Sequence, residues 1–136
     1  MKSAALGDMV VQEIMTSDPV SVPLGASLEQ VEGLLLELDV RHLPVVEDGQ
    51  LKGIISDRDV APYRWSQEDS PAGLTAAQLM SSDLITVAPE VELGEAIDII
   101  IDQRIGALPV VEGESRQLVG IISYVDLLRA ARALVP

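Results

Sequence analysis

Residues 51–59 read LKGIISDRD, and residues 118–126 read LVGIISYVD. In both stretches an apolar run ends in Gly-Ile-Ile-Ser, and an aspartate follows three residues after the serine. A serine followed by an acid at this spacing is typical of a capping box, in which side chains satisfy the free amides at the start of a helix. One isolated match would indicate a helix start and nothing more, but its recurrence predicts an internal duplication.

The duplication extends over most of the chain. EIMTSDPVSV at 13–22 matches QLMSSDLITV at 78–87, and RHLPVVE at 41–47 matches GALPVVE at 106–112. Two additional residues lie in the loop that precedes the second GIIS stretch. Matching in this order and spacing predicts two copies of one structural unit.

Each copy is predicted to form a strand, a helix, two strands and a second helix, preceded by a short helical turn that ends at Met15 or Met80. Apolar runs and turn residues indicate strands at 20–22, 42–46 and 51–55 in the first copy, and at 85–87, 107–111 and 118–122 in the second. The apolar helix stripes are Leu28, Val31, Leu34, Leu35 and Leu38, and then Leu93, Ala96, Ile97, Ile100 and Ile101.

The last helix of each copy is predicted to start at Ser56 or Ser123. In the first copy we expect it to end at Pro62, because proline lacks an amide and clashes with the preceding turn. The predicted domains are a first repeat over 9–62, a linker over 63–73 and a second repeat over 74–133. The fold class is α/β (α+β), with two β-α-β-β-α repeats that cover each other's sheets, since the hairpin strands are apolar on both faces.

Composition excludes several kinds of function. The 136 residues include no cysteine, so disulfides and thiolate metal sites are impossible, and the single histidine cannot form a metal site alone. A net charge of −13 argues against nucleic acid and against anionic membranes, because both bind mainly through lysine and arginine. The N-terminus lacks the apolar core of a signal peptide, and no stretch reaches the roughly 18 apolar residues of a membrane span. We therefore expect a cytoplasmic protein.

The repeated LPVVE and GIIS-x-x-D stretches, in this order and spacing, resemble the CBS domain pair, named from cystathionine β-synthase. The resemblance covers about residues 9–133. It implies two repeats packed about a pseudo-twofold axis, with two clefts between them. In this family the clefts commonly bind AMP, ADP, ATP or S-adenosylmethionine, and no obligatory cofactor is implied. Many members are regulatory modules and form homodimers.

The resemblance also implies site residues. The serine of the Gly-h-h-Ser-x-x-Asp motif approaches a phosphate, and the aspartate holds the ribose hydroxyls. In this sequence those positions are Ser56 and Asp59 in the first repeat and Ser123 and Asp126 in the second. First-strand residues line the base pocket, often through their backbone, and here these are Val20, Val22, Ile85 and Val87.

The two clefts are not expected to be equivalent. Basic residues surround the motifs of the first repeat, and small or apolar residues replace them in the second: Arg41, His42, Lys52 and Arg58 correspond to Gly106, Ala107, Val119 and Val125. An acidic chain needs local positive charge to hold a phosphate, so the first repeat is predicted to take the phosphorylated ligand. The alternative is that Arg58 only pairs with Asp57 or Glu47 at the surface.

The sequence is compatible with three functions. The leading hypothesis is a sensor module that binds an adenine nucleotide or adenosyl ligand and acts through its own dimer or on a separate effector protein. The second is a purely structural dimerisation module with empty clefts, since Ser-x-x-Asp serves as a helix cap either way. An enzyme is the weakest reading, because the sequence contains one histidine, no cysteine and no Walker-type glycine loop, and we predict no catalytic residues.

Overall fold

The computed structural model describes residues 8–64 and 73–136, so residues 65–72 of the predicted linker lie outside the described residues. The described chain forms two compact units. One extends from Val20 to Leu84 and is called the Asp59 unit, and the other combines the segment up to Pro19 with Ile85–Pro136 and is called the Asp126 unit. Each unit therefore takes its first short helix from the other repeat.

The two units share a helix, a hairpin and a second helix in the same order, but the short helix comes last in the Asp59 unit and first in the Asp126 unit. The Asp59 unit contains α2 (Leu28–Glu37), β2 (His42–Glu47), β3 (Gln50–Ser56), α3 (Asp57–Arg64) and α4 (Ala76–Leu79). The Asp126 unit contains α1 (Val11–Ile14), β1 (Thr16–Ser17), α5 (Leu93–Gln103), β4 (Ala107–Glu112), β5 (Gln117–Ser123) and α6 (Tyr124–Leu134). The mixed fold of helices and antiparallel hairpins agrees with the predicted class.

The two hairpins match the predicted strands to within one residue at each end. β2 pairs with β3 through a two-residue turn, where Asp48 has φ of 52° and Gly49 has φ of 80°. Positive φ at both positions is the geometry of the type I′ turn that Asp-Gly favours. β4 pairs with β5 across a longer loop, and both hairpins shift register at the same place, after Val45 and after Val110.

The first strand of each repeat is shorter than predicted. Val22 forms a single parallel bridge with Val45, and Val87 forms one with Val110. The Val22 amide donates to the Pro44 carbonyl at 3.0 Å, and the Val46 amide donates to the Val22 carbonyl at 2.9 Å. The pairing stops there because the chain turns, with the Ala26 amide donating to the Pro23 carbonyl at 3.1 Å. In the second repeat the chain turns after Val87, where the Val91 amide donates to the Ala88 carbonyl at 3.2 Å.

Strand β1 is not predicted from the sequence. Thr16 lies opposite Ile121 and Ser17 opposite Gly120 in β5. The matching place in the Asp59 unit has only one bridge, between Ser81 and Ile54. The segment that follows each short helix therefore packs along the second hairpin strand of its own compact unit.

Both cores are aliphatic, in a chain that has no phenylalanine and only 2% aromatic residues. The Asp59 unit buries Val22, Ala26, Leu28, Val31, Leu35, Leu43, Val45, Ile55, Val60, Ala76 and Leu79, and the Asp126 unit buries Val11, Val87, Leu93, Ala96, Ile100, Leu108, Val110 and Ile122. Two residues of the predicted stripes stay exposed, Leu38 at 38% and Ile101 at 64%. Ile101 is rotated about 80° from Leu93 at 100° per residue, which places it at the edge of its stripe, and Leu38 is the C-cap residue beyond the last residue of α2.

The prediction that Pro62 ends the last helix of the first repeat is wrong. Helix α3 continues through Pro62 to Arg64. Proline at this position removes one intrahelical hydrogen bond, but the Arg64 guanidinium contacts Asp57 at the start of the same helix and donates to Glu32 of α2 at 3.0 Å. These two ion pairs hold the turn that follows the proline.

Candidate functional site

Ser56 and Asp59 form a reciprocal cap where β3 passes into α3. The Ser56 amide donates to Asp59 Oδ2 at 2.7 Å, and the Ser56 hydroxyl donates to the same oxygen at 3.0 Å. The Asp59 amide donates to Ser56 Oγ at 3.3 Å. One carboxylate oxygen of Asp59 is therefore committed to the cap, which satisfies amides that the helix itself leaves free.

Ser123 and Asp126 repeat this cap at the start of α6. The Ser123 amide and hydroxyl donate to Asp126 Oδ2 at 2.8 and 3.1 Å. Here the second carboxylate oxygen is also bonded, because the Thr16 hydroxyl donates to Asp126 Oδ1 at 3.0 Å. Asp126 is only 9% exposed and is the one buried charged residue in the described part of the chain.

The two aspartates therefore differ in what they leave available. Among residues 8–64 and 73–136, none donates a hydrogen bond to Asp59 Oδ1. Ser81 occupies the position that matches Thr16, but its side chain is exposed and forms no hydrogen bond with a described residue. Within the described ranges, Asp59 thus has one oxygen that accepts no hydrogen bond, whereas both oxygens of Asp126 accept hydrogen bonds from the protein.

Arg41 and His42 lie beside the Asp59 cap. The Asp57 amide donates to the Arg41 carbonyl at 2.7 Å, and His42 lies directly opposite Ser56 in the pairing of β2 with β3. Burial lowers the pKa of His42 below its ordinary value of 6.5, and the nearby Asp59 carboxylate opposes this shift. His42 is therefore held mainly neutral at pH 7, next to the predicted site.

Arg58 is an exposed residue in the first turn of α3. It forms no hydrogen bond or ion pair with any residue that the structure describes. The alternative in which Arg58 pairs with Asp57 is not formed, because Asp57 is paired with Arg64, whose guanidinium holds the pKa of the Asp57 carboxyl below its usual range. Arg58 therefore has no structural partner among the described residues, and the positive end of the helix dipole disfavours a cation at this position.

The four residues predicted to line a base pocket differ in exposure. Val22 and Val87 belong to the cores, with relative exposures of 3% and 6%, and their backbone amides are already hydrogen-bonded to Pro44 and Pro109. Val20 and Ile85, two residues earlier, are 49% and 39% exposed. In these two segments the exposed side chains are therefore the ones available to a ligand.

Two residues near the motifs do not appear among the sequence predictions. Thr16 bonds Asp126, and Arg64 pairs with Asp57. A hydroxyl residue follows the methionine in both repeats, in Met15-Thr16 and in Met80-Ser81, and this recurrence could have identified the Thr16 position. The sequence pattern does not indicate the partner of Arg64, because Pro62 predicts that the helix ends before this residue.

The described ranges contain no group of three or more histidine, cysteine, aspartate or glutamate side chains placed to hold a metal ion. No helix within residues 8–64 and 73–136 combines the length and the apolar character needed to cross a membrane.

The sequence profile of the CBS domain matches residues 11–65 and 76–133. The chain belongs to the CBS domain family. Both Ser-x-x-Asp caps lie inside the matched ranges, so the expected CBS domain pair is confirmed. Among curated proteins, the CBS domain-containing protein YhcV of Bacillus subtilis is 30% identical over 117 residues, which cover 86% of this chain and 81% of YhcV. Some other relatives are longer enzymes, including the homoserine O-acetyltransferases of Methanocorpusculum labreanum, Methanohalobium evestigatum and Methanohalophilus mahii, of which the matched part covers only 23–24%.

Solved CBS structures share this fold. AcuB of Vibrio cholerae is 32% identical, with a TM-score of 0.82 and 93% of each chain covered. CBSX2, solved in complex with AMP, is 25% identical, with a TM-score of 0.80 and with 93% of this chain and 98% of that chain covered. The CBS domain pair of MJ0100, solved with 5′-methylthioadenosine and S-adenosylmethionine, is also 25% identical, with a TM-score of 0.78 and with 90% and 99% covered.

Proposed function

We propose that this CBS domain pair is a regulatory module that binds an adenine nucleotide or an adenosyl compound at the Asp59 unit. The observation that carries the proposal is the free Oδ1 of Asp59, next to an arginine that has no described partner. Similar CBS structures contain AMP, or 5′-methylthioadenosine with S-adenosylmethionine, which supports an adenosine-containing ligand.

Each side chain has a defined role in this proposal. Asp59 Oδ1 accepts the ribose hydroxyls, since a carboxylate oxygen has two lone pairs and a vicinal diol offers two donors. Arg58 and Ser56 face the phosphate, where an arginine can form charge-assisted hydrogen bonds. Arg41 and His42 add polar groups beside the same helix start, and Val20 supplies apolar contact for the base. The ligand needs no catalytic step, so the module acts by binding alone.

The test is isothermal titration calorimetry with AMP, ADP, ATP and S-adenosylmethionine on the wild-type chain and on Asp59→Asn. The asparagine keeps a side-chain acceptor for the cap but removes the charge. Losing a charged hydrogen bond costs about 1.5–3 kcal/mol, so the affinity should fall about tenfold or more. Thermal unfolding of Asp59→Asn without ligand controls for lost helix capping. No heat of binding with any of the four compounds would refute the proposal.

The second candidate is a structural dimerisation module with no ligand. One observation favours it, namely that both Ser-Asp pairs already serve as reciprocal helix caps. A thermal-shift measurement distinguishes the two functions, because a ligand present at 100 times its Kd stabilises the folded protein by about 2.7 kcal/mol. A structural module would show no shift with any adenine compound, yet would lose stability when either cap is removed.

Two further parts of the proposal concern partners. We propose that the chain forms a homodimer and that ligand binding changes the contacts of this dimer with a separate effector protein. The exposed apolar side chains of α6, Tyr124 and Leu128, support a protein contact on that helix. The effector itself would be identified by capture on the wild-type chain with and without ligand, using Leu128→Glu as the control bait.

A further inference from the structure

We propose that Thr16 restricts diol binding to the Asp59 unit by occupying the second carboxylate oxygen of Asp126. This inference rests on the proposed function and identifies the residue that makes the two sites unequal. It does not depend on the basic residues around Asp59, so it applies equally to an uncharged adenosine ligand.

Asp59 and Asp126 offer a ribose diol different numbers of acceptor positions. A ribose diol offers two hydroxyl donors, and each carboxylate oxygen has two lone pairs. Asp59 Oδ1 has both lone pairs unused among the described residues. Asp126 Oδ1 already accepts from the Thr16 hydroxyl at 3.0 Å, so one lone pair remains on a carboxylate that is 9% exposed. A diol at Asp126 would have to displace the threonine hydroxyl.

The backbone explains why only one unit has this bond. Thr16 belongs to a two-residue strand pairing, Thr16 with Ile121 and Ser17 with Gly120. The Asp18 amide prolongs this contact by donating to the Val119 carbonyl at 3.1 Å. The matching Ser81 is held by a single bridge to Ile54, and its hydroxyl does not bond Asp59. The longer pairing holds the threonine side chain against Asp126.

The experiment compares Thr16→Val with the wild-type chain by calorimetry, using adenosine and AMP as probes. Valine keeps the β-branched shape and removes only the hydroxyl. We expect the wild-type chain to show one tight adenosine site and the variant to gain a second, with its affinity raised about tenfold or more, as expected for one recovered hydrogen bond to a charged group. The gain should disappear with 2′,3′-dideoxyadenosine, which has no diol, and in the double variant Thr16→Val with Asp126→Ala.

Ser81→Ala is the matched control, because it removes the corresponding hydroxyl where no bond is formed. It should leave the stoichiometry and both affinities unchanged. Thr16→Ala gives the same expectation as Thr16→Val and serves if the valine variant unfolds, which thermal unfolding would show.

Three results would overturn the inference. The wild-type chain could bind adenosine at two equal sites, Thr16→Val could leave binding unchanged, or the second site could weaken in Thr16→Val, in which case the hydroxyl is itself a ligand contact. In each of these the proposed function survives, since the Asp59 site still binds. If neither the wild-type chain nor the variant binds adenosine or AMP, the proposed function fails and this inference fails with it.

Discussion

Met15 packs directly against Gly120, although the two residues belong to different repeats of the sequence. A Cβ atom on Gly120 would lie 3.0 Å from Met15 Cγ, closer than packed side chains normally allow. Met80 and Gly53 repeat the relationship in the Asp59 unit, where a Cβ would also lie 2.8 Å from the Ser81 carbonyl oxygen. The glycine of GIIS, three residues before the capping serine, therefore lies at close range to the segment after each short helix, against backbone at Gly53 and against a movable methionine side chain at Gly120.

We expect Gly53→Ala and Gly120→Ala to destabilise the protein. Overpacking a dense site costs about 1–3 kcal/mol, and Gly53→Ala should cost more because a backbone oxygen cannot rotate away as a methionine side chain can. Urea unfolding of each variant measures the change. Replacing Met15 by alanine in the Gly120→Ala background should recover part of the loss. If the losses in the free energy of unfolding are additive in that double variant, the contact with Met15 is not the reason that position 120 is a glycine.

Gly33→Ala should have the opposite effect. Gly33 lies in the middle of α2, is exposed, and would place its new Cβ more than 4 Å from any neighbour. Alanine in a helix interior is favoured over glycine by about 0.5–1 kcal/mol. The same urea titration should therefore show a gain in the free energy of unfolding. A loss would mean that α2 carries a contact at this position.

His42 should make stability depend on pH. Its folded-state pKa lies below the unfolded value of 6.5, chiefly through burial, with Asp59 and Asp57 opposing the shift and Arg41 adding to it. The unfolded chain then binds more protons than the folded one, so this contribution is present above pH 6.5 and is lost as the pH falls through the folded pKa. Chemical unfolding between pH 7.5 and 5 should show a steeper loss for the wild-type chain than for His42→Gln. Equal slopes would remove His42 as the cause.

Arg58→Ala should weaken AMP binding and leave adenosine binding nearly unchanged. The arginine has no described partner, so its loss removes an attraction for phosphate and little stability. Calorimetry at low and high salt should show that AMP affinity falls with salt in the wild-type chain and less so in the variant. Arg129→Ala on α6 changes the net charge equally and is the control. If the two arginine variants lower the AMP affinity equally, the effect comes from the net charge of the chain and not from a contact between Arg58 and the phosphate.

We expect the chain to be a dimer in solution. Tyr124 and Leu128 lie four residues apart on α6 and are 51% and 68% exposed, which leaves an apolar face on one helix. Light scattering at low micromolar concentration should give twice the 14.5 kDa of one chain. Leu128→Glu should shift the mass toward one chain, whereas Gln12→Glu, which adds the same charge at an exposed polar position, should not. A wild-type mass of one chain would contradict the expectation.

The sequence by itself determined the features that depend on neighbouring residues. The Asp48-Gly49 turn follows from two residues that tolerate positive φ, and both Ser-x-x-Asp caps follow from side chains within three residues of the backbone groups they bond. The repeat can also be detected from the sequence alone, because comparing the chain with itself is enough to reveal a duplication. These features gave the fold class, the hairpin strands and the candidate aspartates.

Only the tertiary structure decided which segments pack together and which polar groups remain free. Helix α3 continues past Pro62 because Arg64 donates a hydrogen bond to Glu32 on another helix. The short helix of each repeat belongs to the compact unit formed mainly by the other repeat. The difference between Asp59 and Asp126 depends on Thr16, which lies 110 residues away from Asp126 in the sequence. A local pattern reports the bonds that a side chain can form, but a distant partner occupies one of them only after the chain has folded.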